Sequence, residues 1–119
     1  MPSSPPYLFT ASMDVQPDKD GLFNEVYDTA HVPALLEIPG VISVARYKTR
    51  ELTMIMAGER HTIVIEGEPT YTAQYGLESP DVLVSDGWAV AVEQGRWPAQ
   101  VRPFTSNRRH VLYERIPSS

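Results

Sequence analysis

The chemistry this 119-residue chain can perform rests on three histidines, six tyrosines, two tryptophans and a set of carboxylates and guanidinium groups, because it contains no cysteine. One histidine stands out by its setting. His31 lies in "YDTAHVPALLEIPGV", between an amphipathic run and a proline of the kind that interrupts helices. An unperturbed imidazole titrates near pH 6.5; a helix C-terminus favours its charged form and burial opposes it. Set against each other, these effects would leave the ring poised near neutrality, ready to exchange a proton with a small ligand. The structural alternative is that His31 ties off the carbonyls left open at a helix end.

Candidate partners follow from spacing. Tyr27 precedes His31 by four residues and shares its helix face, which makes it a candidate substrate-binding group. Asp28 precedes it by three and is a candidate orienting group, since a carboxylate can hold an imidazole in one tautomer; a solvated helix face is the plainer reading. Arg46 carries a planar fork suited to a carboxylate or an enolate-like oxygen, and a surface or dimer salt bridge would use it equally well. Tyr71 and Tyr75, four apart in a β-prone run, fall on one strand face. Tyr75 is the candidate to offer a hydroxyl to a cavity, and Tyr71 reads as core. Trp88 is placed to roof such a cavity, whereas Trp97, next to Pro98, reads as the anchor of a connection.

Several chemistries are excluded or disfavoured. His61 and His110 share no short metal-binding spacing with His31, and without cysteine there is no thiolate site, so no metal is expected. No phosphate-binding loop, dinucleotide fingerprint or nucleophile elbow occurs, and no cofactor is expected. A net charge of −5 with dispersed arginines argues against nucleic-acid binding. No apolar run approaches the roughly 20 residues that span a bilayer. "MPSSPP" has neither the basic nor the apolar region of a secretory signal. A cytoplasmic protein with no membrane or nucleic-acid partner is the expectation.

The elements that must position these residues can be read from hydrophobic period and turn residues. At this length, with 42% hydrophobic residues, a single domain with a core over about 7–116 and short tails is expected. "YLFTASMDV" reads as a strand, and "LFNEVYDTAH" as a helix with Leu22, Phe23, Val26, Tyr27 and Ala30 at helical spacing. Pro33 predicts a kink or break after His31 and a short second helix through "PALLEI", stopped by Pro39 and Gly40. "VISVARYKT" reads as a second strand, "TMIMAGERHTIVIEGEP" as an inserted hairpin turning at "AGER", and "TYTAQYGLE" as the next core strand. Ser79 and Pro80 mark a helix start, Gly87 a weak point within it, and Gly95 its end. "RWPAQVRPF" connects to a final strand in "RRHVLYERI". The order β–α–β–(hairpin)–β–α–β is the split βαβ, ferredoxin-like α+β pattern.

Within that frame, "FNEVYDTAHVPALLEIPGV", "ARY" and "YTAQYGLESPDVLVSDGW" resemble the dimeric α+β barrel superfamily, in particular its EthD-like and muconolactone-isomerase-like branch, over most of residues 7 to 116. The resemblance implies a homodimer in which two four-stranded sheets close a barrel, with a ligand cavity between the sheet and helices of each subunit. It also maps an active-site histidine of the isomerase-like members, on helix one before a Pro-Gly pair, onto His31. The insertion at 49–68 and the pair Arg46 and Tyr47, where the isomerase pattern has a histidine nearby, depart from that pattern, so substrate and reaction do not transfer with the fold.

The sequence reading is a cofactor-independent enzyme of isomerase, cyclase or lyase type. Its substrate would be a small apolar aromatic or lactone-like molecule, with His31 as acid/base and Tyr27, Arg46, Tyr75 and Trp88 around the substrate. The alternatives are a noncatalytic small-molecule binding or stress-response module, and a cofactor-free monooxygenase of the antibiotic-biosynthesis type.

Overall fold

The computed structural model describes residues 4–117. Strands β1 (Tyr7–Val15), β2 (Val41–Lys48), β5 (Tyr71–Leu77) and β6 (Thr105–Glu114) form one antiparallel sheet in the order β2-β5-β1-β6. With the inserted hairpin set aside this is the ferredoxin-like arrangement expected from the element order.

Alternation along the strands sorts the two faces. Phe9, Ala11 and Met13 stand opposite Tyr75, Ala73 and Tyr71 and face the helices, joined by Arg46 from β2 and His110 from β6. Leu8, Ser12, Ala45, Tyr47, Val111 and Tyr113 occupy the opposite face, where Tyr47 and Tyr113 are about half exposed, at 54% and 52%. Helices cover one side alone, so the core is the layer between that side and the helices: Phe23, Val26, Tyr27, Leu35 and Ile38 meet Met13, Tyr75 and Leu77.

The first helical segment resolves the kink or break expected after His31 as a widened turn. α1 (Asp20–Val26) runs into a π-helical turn over Tyr27–His31 and then into α2 (Val32–Leu36), with His31 and Val32 both in right-handed helical geometry. The Val32 amide donates to the Tyr27 carbonyl, five residues back. Pro33 cannot donate, and its ring would crowd the carbonyl four residues earlier in a regular α-helix. The wider turn relieves that crowding without ending the helix. His31 therefore sits inside a continuous helical segment and not at its end.

Pro39 and Gly40 do end α2. Gly40 adopts φ +92°, and a Cβ there would lie 2.5 Å from Val82 Cγ2, so the position requires glycine on both counts.

The hairpin forms with a tighter turn than expected. β3 (Leu52–Met56) and β4 (Glu59–Ile63) are joined by Ala57 and Gly58, at φ 52° and 79°, while Glu59 and Arg60 already pair in the strand. It does not extend the main sheet; β3 and β4 make a separate two-stranded sheet. In the second half, Ser79 caps a 3-10 turn (Pro80–Val84), Ser85 caps α3 (Asp86–Ala91), and the weak point falls at Ser85 rather than at Gly87. The connection expected over 96–104 is itself ordered, as a second π-helical turn (Trp97–Val101) followed by a 3-10 turn (Arg102–Phe104).

Candidate active site

Between the helix-covered face of the sheet and the two π-helical turns lies a cavity of about 230 Å³, walled by Phe9, Tyr27, His31, Tyr75, Trp88 and Trp97, with Arg102, Arg108 and His110 at its polar side. Each wide turn is followed two residues later by a proline, Pro33 after the first and Pro103 after the second, and the turns present Tyr27, His31 and Trp97 to the same space. The His31 ring stacks on Trp97 at 4.4 Å between centroids and an 18° interplanar angle, and meets the Tyr27 ring edge-on at 5.0 Å. Trp88 reaches in from α3, edge-on to both Phe9 and Tyr75.

His31 is 7% exposed and has no protein hydrogen bond among the described residues, so its nitrogens are left for a ligand or water in the cavity. Burial, reinforced by the nearby Arg102 charge, lowers its pKa to about 4. The expectation of a ring poised near neutrality is thereby corrected: desolvation outweighs any helix-end effect, and His31 is a neutral imidazole at pH 7. One nitrogen can then accept while the other donates.

Tyr27 and Tyr75 are both 2% exposed, and their hydroxyls lie 2.8 Å apart. Burial raises the pKa of Tyr27, and that of Tyr75 well above the usual phenol value, so both keep their protons. Two hydroxyls sharing one hydrogen bond use one proton between them. The other O–H is free to donate to a ligand oxygen, because no further partner of either hydroxyl occurs among the described residues.

Arg46 and Asp28 take other places than the sequence suggested. Arg46 Nη1 donates to Asp28 Oδ1 at 2.7 Å and Nη2 donates to Asn24 Oδ1 at 2.8 Å, while the guanidinium lies 4.5 Å from the Tyr27 ring centroid. Asp28 thus holds Arg46 and does not orient His31, and Arg46 braces the back of Tyr27 outside the cavity. A more open depression of about 400 Å³ beside Arg46 is lined by Asp20, Asn24, Tyr47, Lys48 and Tyr71. Its polar groups largely satisfy one another, with the Tyr71 hydroxyl donating to Asp20.

The cavity gathers His31, Tyr27, Tyr75 and Trp88 from the sequence candidates and adds Phe9, Trp97, Arg102, Arg108 and His110. Trp97 anchors its connection, being 4% exposed, yet also forms the cavity wall. Period-two alternation in "RRHVL" could have placed Arg108 and His110 on one face. Nothing local marks the stacking of Trp97 on a ring 66 positions away. Among the described residues no group of three or more His, Asp or Glu side chains is arranged to hold a metal ion.

No protein-family model matches the chain. No curated protein sequence matches it either. Solved structures do. The haem-degrading protein MhuD from Mycobacterium tuberculosis, with two haems in its active site, superposes with TM-score 0.61 at 13% identity, covering 96% of this chain and 99% of that one. An EthD family protein from Bacillus halodurans gives TM-score 0.57 at 12% identity, covering 92% and 99%. SnoaB, a cofactor-independent oxygenase from Streptomyces nogalater, gives 0.59 at 13% identity, covering 94% of each chain. The chain has the dimeric α+β barrel fold. The resemblance read from the sequence is thus correct for the architecture, while identities this low carry no activity across. The cavity volume of about 230 Å³ lies below the roughly 300 Å³ from which ligand pockets usually run, so a group as large as haem would have to extend out of this cavity or displace its Trp88 and Trp97 walls. No described helix is long and apolar enough to cross a membrane.

Proposed function

We propose that the protein is a cofactor-independent enzyme that removes a proton from a small, largely apolar aromatic or lactone-like substrate and rearranges or cleaves the resulting anion. The observation that carries this reading is a neutral, buried imidazole without a protein partner, facing the same small cavity as a tyrosine pair with a hydroxyl proton to spare. Neutral His31 takes the proton from an acidic C–H or O–H. The imidazolium, costly alone in this setting, is stabilised by the anion formed beside it. The free tyrosine hydroxyl donates to the developing oxyanion in a site where aromatic walls exclude water and strengthen the bond. Return of the proton from His31 to another atom gives an isomerase; loss of a leaving group from the anion gives a lyase.

Oxygenation of the same anion is the second reading, favoured by the fold shared with SnoaB, a cofactor-independent oxygenase. Both readings place the chain in a homodimer built through the uncovered sheet face, supported by the half-exposed Tyr47 and Tyr113 and by Val111 there.

The test is a panel of phenolic, enolisable and lactone substrates assayed for product and for oxygen uptake with wild type and His31→Ala. Turnover should fall by roughly 10² to 10⁴ in the variant, the range for losing a general base. Unchanged turnover in a folded His31→Ala protein removes His31 from the mechanism. Product formation coupled to oxygen uptake selects the second reading over the first.

A further inference from the structure

The cavity is aromatic along most of its wall, but its charged residues are of one sign. Arg102 and Arg108 line it, and no aspartate or glutamate does, in a chain whose net charge is −5. Arg102 is already engaged: it donates to both carboxylate oxygens of Glu93, at 3.1 and 2.7 Å, and to the Val92 carbonyl at 2.7 Å. Arg108 has neither a salt bridge nor a hydrogen bond among the described residues. The arginine next to it in sequence, Arg109 on the other sheet face, pairs with Glu68. Two positions on, and on the face of Arg108, His110 stacks parallel to Phe9 at 5.9 Å and 7°. An uncommitted guanidinium therefore stands at the mouth of an aromatic slot, with an imidazole beside it.

From this juxtaposition we infer that the cavity binds a planar aromatic anion, its ring between the tryptophan walls and its carboxylate or phenolate held by Arg108. The planar fork of arginine matches two carboxylate oxygens. A cationic site in an anionic protein also concentrates an anionic ligand selectively at its own mouth. The anion-binding role that the sequence suggested for Arg46, which is committed to Asp28 and Asn24, falls on Arg108 instead.

This inference rests on reading the cavity as a ligand site and does not depend on catalysis there. It is tested by isothermal titration calorimetry of the full chain with 2-naphthoate and its neutral analogue 2-naphthamide, in low and high salt. The carboxylate should bind at least about tenfold more tightly at low salt, a difference of about 1.4 kcal/mol, and added salt should shrink the ratio. Arg108→Gln should bring the ratio close to one, and Arg108→Lys should restore part of it. Both replace an exposed side chain, and thermal melts confirm their folding. Equal binding of the two probes, binding of neither, or a carboxylate preference that survives Arg108→Gln each overturns the assignment. His31→Ala should retain the preference. A preference without turnover sinks the catalytic reading alone, and turnover without a preference sinks the anion reading alone.

Discussion

Burial of His31 makes the stability of this protein depend on pH in a way that can be calculated. The unfolded chain should protonate His31 near 6.5 and the folded chain at about 4. Between those values the unfolded state binds more protons, so folding stability falls as pH falls. The His31 contribution is complete above about pH 6.5 and is lost as the pH drops through about 4. The gap of about 2.5 units corresponds to about 3 kcal/mol in full, of which about 2 kcal/mol should be lost between pH 7 and pH 5. His31→Phe keeps a flat ring against Trp97 and removes the titration. Urea unfolding of wild type and variant at fixed protein concentration, at pH 7, 6 and 5, isolates the effect as a difference, because the other titrating groups, His110 and Asp14 included, are common to both. Wild type should lose about 2 kcal/mol more than His31→Phe over that range. A difference independent of pH, or an NMR titration of the His31 ring with its midpoint near 6.5, would refute the claim that desolvation governs this site.

Two further expectations concern other parts of the molecule. Tyr75→Phe leaves the Tyr27 hydroxyl unpaired in a buried site, so it should cost about 1 to 3 kcal/mol in denaturant unfolding and lower turnover on any substrate that His31 processes. A stability loss with no change in turnover would make the tyrosine pair purely structural. Replacing residues 52–63 by a short Gly-Ser turn should leave the helix-covered core intact, because the hairpin is a separate sheet. We propose that it grips the partner subunit, since an isolated two-stranded ribbon is marginal in water and Leu52, Ile55 and Met56 are exposed on it. Analytical ultracentrifugation should then show dimer affinity weakened by about tenfold or more, and an unchanged dimer would assign the hairpin another role.

The first strand was legible in the sequence at residue resolution, and the main sheet and its order followed from the element pattern, because period-two alternation and turn residues are local signals. The shared face of Tyr27 and His31 was legible from their four-residue helical spacing. Where local rules and packing disagreed, packing prevailed. Pro33 predicts a kink or break, and the chain keeps its helix by widening one turn there, since Tyr27, His31 and Leu35 are all held in the core. The protonation of His31 was misjudged because spacing shows a nearby proline but not how much water a ring loses. A salt bridge for Arg46 was open to the sequence reading but its partner Asp28 was not, because residues 18 apart find each other across a helix and a strand, and no local period encodes that contact. The sequence by itself determined which residues can alternate, turn and break. The tertiary structure decided which of them lose water together, and that loss sets the charge of His31, the pairing of Tyr27 with Tyr75 and the isolation of Arg108.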